Sequence, residues 1–320
     1  MMERVLVTGA DGFVASHLLT ELSLETDWRL AGIGLKQGPS AEVPGLEYRV
    51  VDITDYKMIS DYLEEFRPDA VFHLAAQASV ARSWEDPWST YNVNLLGQVN
   101  LMESLLRLRL DTSVHIACSC EEYGKVPQGR MPLGEKMPLA PCSHYAVSKV
   151  AQEMLGLMYR EAFDWRVLVT RSFNQAGPGQ SPDFVVSSFA RQVAMIETGR
   201  SRPVLKVGNL EARRDFTDVR DTVKAYRMLM EKGQSGAVYN VCSGMAPSIS
   251  EILDMLLALS NSEIEVERDP ARQRPSDVPL LLGDASLIRK EIGWEPIIGL
   301  EQTLEDTLDY WREHVGGKES

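Results

Sequence analysis

The chain has 320 residues, 44% hydrophobic and 25% charged, with a formal charge of −13. That length can bury a core in one large or two smaller domains, and the composition is that of an ordinary globular protein. The acidic balance argues against a nucleic-acid partner. No apolar run reaches membrane-spanning length, and four cysteines are too few for a disulfide scaffold.

The first segment, 4–8, reads as a strand, with no apolar core of a signal peptide before it; cytoplasmic residence is the expectation. A glycine turn follows, and Phe13, Val14, Leu18, Leu19 and Leu22 then recur at helical spacing. Strands are predicted over 28–34, 46–51 and 70–74, with a helix over 56–66. A long amphipathic helix is predicted over 95–110, strands over 114–117 and 165–170, and a helix over 143–163. On that last helix Val147, Val150, Met154, Met158 and Ala162 form one stripe. Strands alternating with helices give an α/β, Rossmann-type, doubly wound parallel sheet, of about seven strands by the count of apolar runs.

After Arg171 the texture changes. Residues 173–182 read as loop, and amphipathic helices with short strands follow without regular alternation. Ser248 and Glu251 make a capping box for a helix through Leu259. The expected division is a dinucleotide-binding domain over 1–172, with returns near 216–243, and a smaller, discontinuous mixed α/β substrate lobe over 173–320.

Gly9, Gly12 and Ala15 stand in a G-x-x-G-x-x-A string between the first strand and the first helix. The first glycine permits the tight turn. The second lets the backbone, with Asp11, Phe13 and Val14 beside it, approach a pyrophosphate at the positive helix end. The residues at the end of the second strand, 32–37, include no acid to bind a ribose diol. Lys36 is suited to a 2′-phosphate, or is a solvated surface lysine. NADP(H) is therefore the expected cofactor, with NAD(H) possible. Asp52 and Ile53 are candidates for adenine contact, and Leu74, Ala75, Ala76 and Asn94 for lining the cofactor. Each of these loop residues is equally compatible with ordinary turn chemistry.

Tyr145 and Lys149 are i and i+4 on one predicted helix, hence on one face. An ammonium beside a phenol favours phenolate and is expected to lower the tyrosine pKa from about 10. Ser119, at the end of the fifth strand, can donate to a substrate oxygen. Glu121 is a general base or a structural anion. Cys118 and Cys120 form a C-x-C without a second ligand cluster, so no metal is expected.

Taken together these motifs resemble the extended short-chain dehydrogenases/reductases that act on nucleotide sugars, over essentially the whole chain. Thr8 to Phe13, His73 to Ala76, Ser119 and the Tyr145/Lys149 pair carry that likeness. Later strings narrow it to the GDP-mannose 4,6-dehydratase group: Phe173-Asn174, Gly177 to Ser181, Val207 to Asp221 and Arg274 to Asp284. The resemblance implies a catalytic set of Ser119, Tyr145 and Lys149. It implies a GDP-sugar site including Ser79, Glu121, Asn174, Val185, Lys206, Arg214, Arg274 and Asp277. Within the group the chain looks most like the members that reduce the C4 ketone of a GDP-linked 4-keto-6-deoxyhexose to GDP-D-rhamnose. Glu121 occupies the position of the dehydratases' catalytic glutamate, so 4,6-dehydration stays open. A C4 epimerase and a catalytically silent nucleotide-binding protein also stay open. The 36–47 segment is shorter than the dehydratases' arginine-rich loop, and His144 stands where the group carries proline. The resemblance also implies a homodimer through a four-helix interface built from 95–110 and 143–163; the acidic charge and the lack of a long apolar run imply no nucleic-acid or membrane partner.

Overall fold

A parallel sheet of seven strands organises the computed structural model, which describes residues 3–272 and 278–316. The first half of the chain alternates as read from the sequence. It runs β1 (Arg4–Thr8), α1 (Phe13–Glu25), β2 (Arg29–Gly34), β3 (Glu47–Val50), α2 (Tyr56–Phe66) and β4 (Ala70–His73). Next come α3 (Val80–Glu85), α4 (Pro87–Tyr91), α5 (Gly97–Arg107), β5 (Ser113–Ser119), α6 (His144–Phe163) and β6 (Val167–Ser172). The second half contains β7 (Asn174–Ala176), α7 (Val185–Glu197), β8 (Val204–Val207), β9 (Arg213–Arg214) and β10 (Phe216–Asp218). It continues through α8 (Val219–Lys232), β11 (Val238–Val241), α9 (Ile249–Ala258), β12 (Glu265–Arg268), β13 (Leu280–Leu281), α10 (Ser286–Ile292) and α11 (Leu300–Gly316).

In space the sheet reads β11-β6-β5-β4-β1-β2-β3. The order reverses between β1 and β4, which opens a crevice at their carboxyl ends. Register aligns Thr8 with His73, while β5 runs on past Ile116 to Ser119. Ser119 is thus carried above the sheet edge, toward that crevice. Thr8 fixes the neighbouring connection: its hydroxyl accepts the Leu74 and Ala75 N–H groups at 3.2 and 3.1 Å.

Both faces are covered. On one, Leu18, Leu19 and Leu22 of α1 meet Val223, Tyr226 and Leu229 of α8. On the other, α2 and α5 supply Ile59, Leu63, Leu101 and Leu105. Each such fully buried side chain contributes roughly 1.5–3 kcal/mol of transfer free energy. A third core joins Val186, Phe189 and Val193 of α7 to Leu253, Leu256, Leu304 and Leu308. It lies beyond the sheet, beside the crevice.

Several boundaries differ from the sequence reading, each for a physical reason. The helix expected over 95–110 is the end of a longer rod. α4 passes through a π turn, Asn92–Leu96, directly into α5. Trp165 stacks on Tyr159 rather than pairing in the sheet, so β6 starts later than the apolar pattern suggests. The 173–182 stretch contains β7, paired to β10. On α6 the apolar stripe points outward: Val147, Met154 and Met158 are exposed. The face turned to the sheet carries Ala146, Ser148, Lys149, Gln152, Glu153 and Gly156. Close approach to β5 explains the small residues there; a Cβ at Gly156 would lie 2.1 Å from Ile116 Cδ1.

Candidate active site

A cleft of about 1430 Å³ runs along the carboxyl ends of the strands and between the sheet and the third core. Drug-sized ligands fill roughly 300–1,000 Å³, so this volume suits two ligands in line. One end is walled by Gly9, Asp11, Gly12, Phe13, Val14 and Lys36. The middle holds Leu74, Ala76, Ser119, Glu121, Tyr145 and Lys149. The far end holds Asn174, Val185, Arg214 and Arg272.

The glycine turn is enforced by sterics. Gly9 has φ +69°, and a Cβ there would sit 2.9 Å from the Ala75 backbone. Gly12 caps α1 without any side-chain hydrogen bond, and no acid lies in the first turn. The positive helix end is therefore left available to an anion. Asp11 reaches across to the end of β2, where its carboxylate accepts the Leu35 and Lys36 N–H groups at 3.1 and 3.0 Å. A Cβ at Gly34 would lie 2.3 Å from Asp11 Oδ1. Glycine at the end of β2 thus makes room for a carboxylate supplied from α1's entry turn. Lys36 is exposed on this rim, its ammonium donating to the Asp11 carbonyl at 3.1 Å.

The central group forms at the start of α6. Ser143 caps that helix by accepting the Ala146 N–H at 3.1 Å. His144 is anchored between the Tyr91 hydroxyl at 3.0 Å and the edge of the Trp84 ring. Tyr145 follows, 9% exposed, and lines the cleft together with Ser119. Lys149 lies one turn on, its ammonium 5.9 Å from the Tyr145 ring centre and donating to the Ala117 carbonyl at 2.9 Å. Burial pushes the Tyr145 phenol well above its ordinary range, opposed by the neighbouring Ser119 hydroxyl. Burial also lowers Lys149, against the raising influence of Cys118 and Glu122. The expectation that Lys149 would pull Tyr145 down is therefore reversed: burial dominates, with Glu121, Cys120 and Cys118 adding to it, and the phenol keeps its proton. A protonated phenol, a hydroxyl beside it and a lysine within the same pocket can protonate a developing alkoxide.

The remaining sequence candidates divide by position. Ser79 caps α3 by accepting the Arg82 N–H and lies on the cleft wall. Ala75 sits under the glycine turn. Asn94 is buried behind the wall, bridging Gln77 to the Ser148 hydroxyl. Asp52 accepts from Thr54, and Ile53 packs where a Cβ at Gly97 would lie; neither is on the cleft wall. Lys206 is exposed on β8 and is not on the cleft wall. Arg274 and Asp277 lie outside the described residues. The sequence reading missed Arg272, which reaches the cleft and donates to the Ser188 hydroxyl at 3.0 Å. It also missed His17, Tyr310 and His314 on the walls. Only the second arginine of the Arg272-x-Arg274 pair was singled out, and the aromatic pair sits on the distant α11.

The cysteines are free; Cys118, Cys120 and Cys242 are buried and Cys142 is half-buried. Among the described residues no helix is long and apolar enough to cross a membrane.

The sequence model of the family described as GDP-mannose 4,6 dehydratase matches residues 6–307. GDP-6-deoxy-D-mannose reductase of Pseudomonas aeruginosa is 36% identical over 316 residues, covering 98% of this chain and 99% of that protein. A GDP-mannose 4,6-dehydratase of Vibrio cholerae is 30% identical over 347 residues, covering 95% and 92%. Among solved structures, RMD from Pseudomonas aeruginosa complexed with NADPH superposes with a TM-score of 0.86 at 34% identity, covering 98% and 100%.

Proposed function

The chain belongs to the GDP-mannose 4,6 dehydratase family, and we propose that within it the protein reduces the C4 ketone of GDP-4-keto-6-deoxy-D-mannose to GDP-D-rhamnose at the expense of NADPH. One observation carries the reading. The Ser119–Tyr145–Lys149 set stands in the middle of a cleft whose near end is a phosphate-accepting glycine turn. The likeness to a GDP-6-deoxy-D-mannose reductase over nearly its full length supports it.

The near end fits a dinucleotide. Gly9 and Gly12 leave the backbone bare where a pyrophosphate would approach. Asp11, Phe13 and Val14 line that wall, Leu74 and Ala76 its far side, and Lys36 offers a cation for a 2′-phosphate. NADP(H) is the preferred cofactor and NAD(H) is accommodated. Bound there, the nicotinamide supplies hydride. Tyr145 gives its proton to the oxygen at C4, and Ser119 hydrogen-bonds that oxygen. The Lys149 ammonium, one helical turn on, offsets the negative charge left on the phenolate as its proton leaves. Proton transfer from a positioned side chain contributes about 10²–10⁴-fold. Asn174, Val185, Arg214 and Arg272 form the far, substrate end; a guanidinium's planar fork suits a diphosphate.

We divide the chain functionally into residues 1–172, with returns near 216–243, for the cofactor, and mainly 173–320 for the sugar nucleotide. β11 at the edge of the large sheet supports the return. The outward apolar face of α6, with Leu96 exposed nearby on the preceding rod, supports a homodimer joined through four helices. Cytoplasmic residence is the reading for a reductant-consuming enzyme with free cysteines.

A 4,6-dehydratase is the second reading, favoured by Glu121 on the cleft wall beside Ser119. Turnover separates the two. The reductase consumes one NADPH per keto-sugar, whereas a dehydratase converts GDP-mannose with no net change in NADPH.

A further inference from the structure

Beneath Ser119 lies a charged cluster that the mechanism above does not use. Glu122, Glu153 and Arg171 are 0%, 1% and 4% exposed. Arg171 grips Glu153 with two bonds, Nε to Oε2 at 2.8 Å and Nη2 to Oε1 at 2.6 Å. Its third nitrogen is spent on the Tyr123 hydroxyl and the Glu135 carbonyl. Glu122 comes second. Its Oε1 accepts the Ser119 N–H at 3.2 Å, and its Oε2 is buried without a hydrogen-bond donor. Arg171 Nε approaches that oxygen at 3.3 Å, but its hydrogen already points to Glu153.

The unmet acceptor decides the state of this cluster. Two carboxylates share one guanidinium in a dry site, and the Lys149 ammonium that also faces Glu122 donates to the Ala117 carbonyl, so full ionisation leaves Glu122 Oε2 an orphaned charged acceptor. That is costly. One proton on the pair removes the defect, because a carboxyl O–H can donate to its neighbour. Carboxylate oxygens of the two groups, together with the Cys118 sulfur, lie within 4.8 Å of one another. Groups facing Glu122 from the surrounding elements are Cys118 of β5, Lys149 and Glu153 of α6, Arg171 of β6 and Cys120 on its own turn. Tyr123 and Glu135 meet the cluster through Arg171.

We propose that Glu122 and Glu153 share a single proton, and that Glu122 is thereby a positioning residue for Ser119. The link is a reciprocal cap: Glu122 holds the Ser119 N–H while the Ser119 hydroxyl accepts the Glu121 N–H at 3.3 Å. Main chain and side chain of Ser119 are fixed together at the end of β5. Loss of the shared proton sets two carboxylates against each other and pushes Glu122 off that N–H. Burial and the neighbouring Glu153 hold Glu122 above the ordinary carboxylate range. The sign follows: the proton is present at lower pH, and Ser119 is released as pH rises through the folded-state value.

The consequence for turnover rests on the reductase reading; the shared proton does not. Two variants test both. Glu122→Gln keeps an acceptor for Ser119 and a permanent N–H toward Glu153. Glu122→Leu removes the acceptor but leaves Arg171 and Glu153 as a matched pair, so the fold has no uncompensated charge. Wild-type kcat should decline on the alkaline side. Glu122→Gln should retain kcat within about threefold and lose that decline. Glu122→Leu should lower kcat roughly tenfold or more, from the buried N–H left unpaired, with the KM for NADPH unchanged. Infrared difference spectra of wild type minus Glu122→Gln, recorded without substrate, should show a protonated carboxyl stretch that fades as pH rises. An absent carboxyl band overturns the shared proton whatever the enzyme turns over. An alkaline decline unchanged in Glu122→Gln, or equal losses in Gln and Leu, overturns the positioning role. A wild type that never oxidises NADPH with the keto-sugar defeats the functional reading and leaves the infrared result to judge the proton.

Discussion

Tyr145→Phe removes one oxygen from the candidate site and leaves the rest of the residue in place. The ring is 9% exposed and stays packed, and the lost hydroxyl stands in the cleft beside Ser119. The fold should lose no more than about 1 kcal/mol, the net worth of one hydrogen bond. Lys149 keeps its bond to the Ala117 carbonyl, and the Gly9–Gly12 turn is remote, so NADPH affinity should hold within about threefold. Chemistry should not hold. Removing the acid is worth about 10²–10⁴-fold in kcat, or roughly 2.7–5.5 kcal/mol of barrier at 1.36 kcal/mol per tenfold. Single-turnover decay of NADPH absorbance with GDP-4-keto-6-deoxy-D-mannose reads the chemical step, and cofactor fluorescence reads binding. The phenol must be protonated to act, and burial raises it, so its own alkaline loss should begin only above about 10. A variant within tenfold of wild type, or one that loses cofactor binding in step with rate, refutes the assignment.

Gly9→Ala should weaken NADPH binding by tenfold or more in a fluorescence titration. The left-handed φ of +69° costs about 1–2 kcal/mol for a side-chain-bearing residue, and the added methyl meets the Ala75 backbone at 2.9 Å; unchanged affinity would show that the turn is no cradle. Lys36→Gln should raise the KM for NADPH by roughly ten- to a hundredfold, the worth of a charge-assisted bond, and leave that for NADH alone; equal effects on both would remove Lys36 from the 2′-phosphate. Met154→Asp places a charge on the outward face of α6, and sedimentation should then report monomer in place of dimer; a wild type that is itself monomeric contradicts the four-helix interface. His73 and His115 are lowered to about 3 by complete burial. The unfolded chain takes up protons below about pH 6.5 that the folded chain refuses, so each costs about 1.4 kcal/mol of stability per pH unit below that point. The urea midpoint should fall steadily from pH 7 to about pH 5, and a flat midpoint there would mean that the folded state protonates them.

The parts legible in the sequence were those fixed by local rules. Gly9, Gly12 and Ala15 announce a turn that only small residues allow, and the ends of α2 agree with the periodicity. Tyr145 and Lys149 follow from helical spacing, and the capping box at Ser248 and Glu251 is present as read. What the sequence could not show depends on packing between distant segments. The stripe on α6 has helical period in either direction, and periodicity does not say which face is covered. The pKa of Tyr145 is decided by how deeply it is buried, which an i,i+4 spacing does not encode. Gly34 looks like a missing acid until Asp11 is seen filling its space. Arg272, Tyr310 and His314 reach the cleft from segments far apart in the chain. Nothing local marks Glu122, because its partners are supplied by α6 and β6.

The central claim is net transfer of hydride to C4 of a GDP-linked keto-sugar. Incubation with NADPH deuterated at the transferable C4 position and GDP-4-keto-6-deoxy-D-mannose tests it most directly. The account predicts one NADPH oxidised per sugar, with the deuterium on C4 of GDP-D-rhamnose. Label that stays in the cofactor pool, or turnover of GDP-mannose with no NADPH consumed, would contradict it.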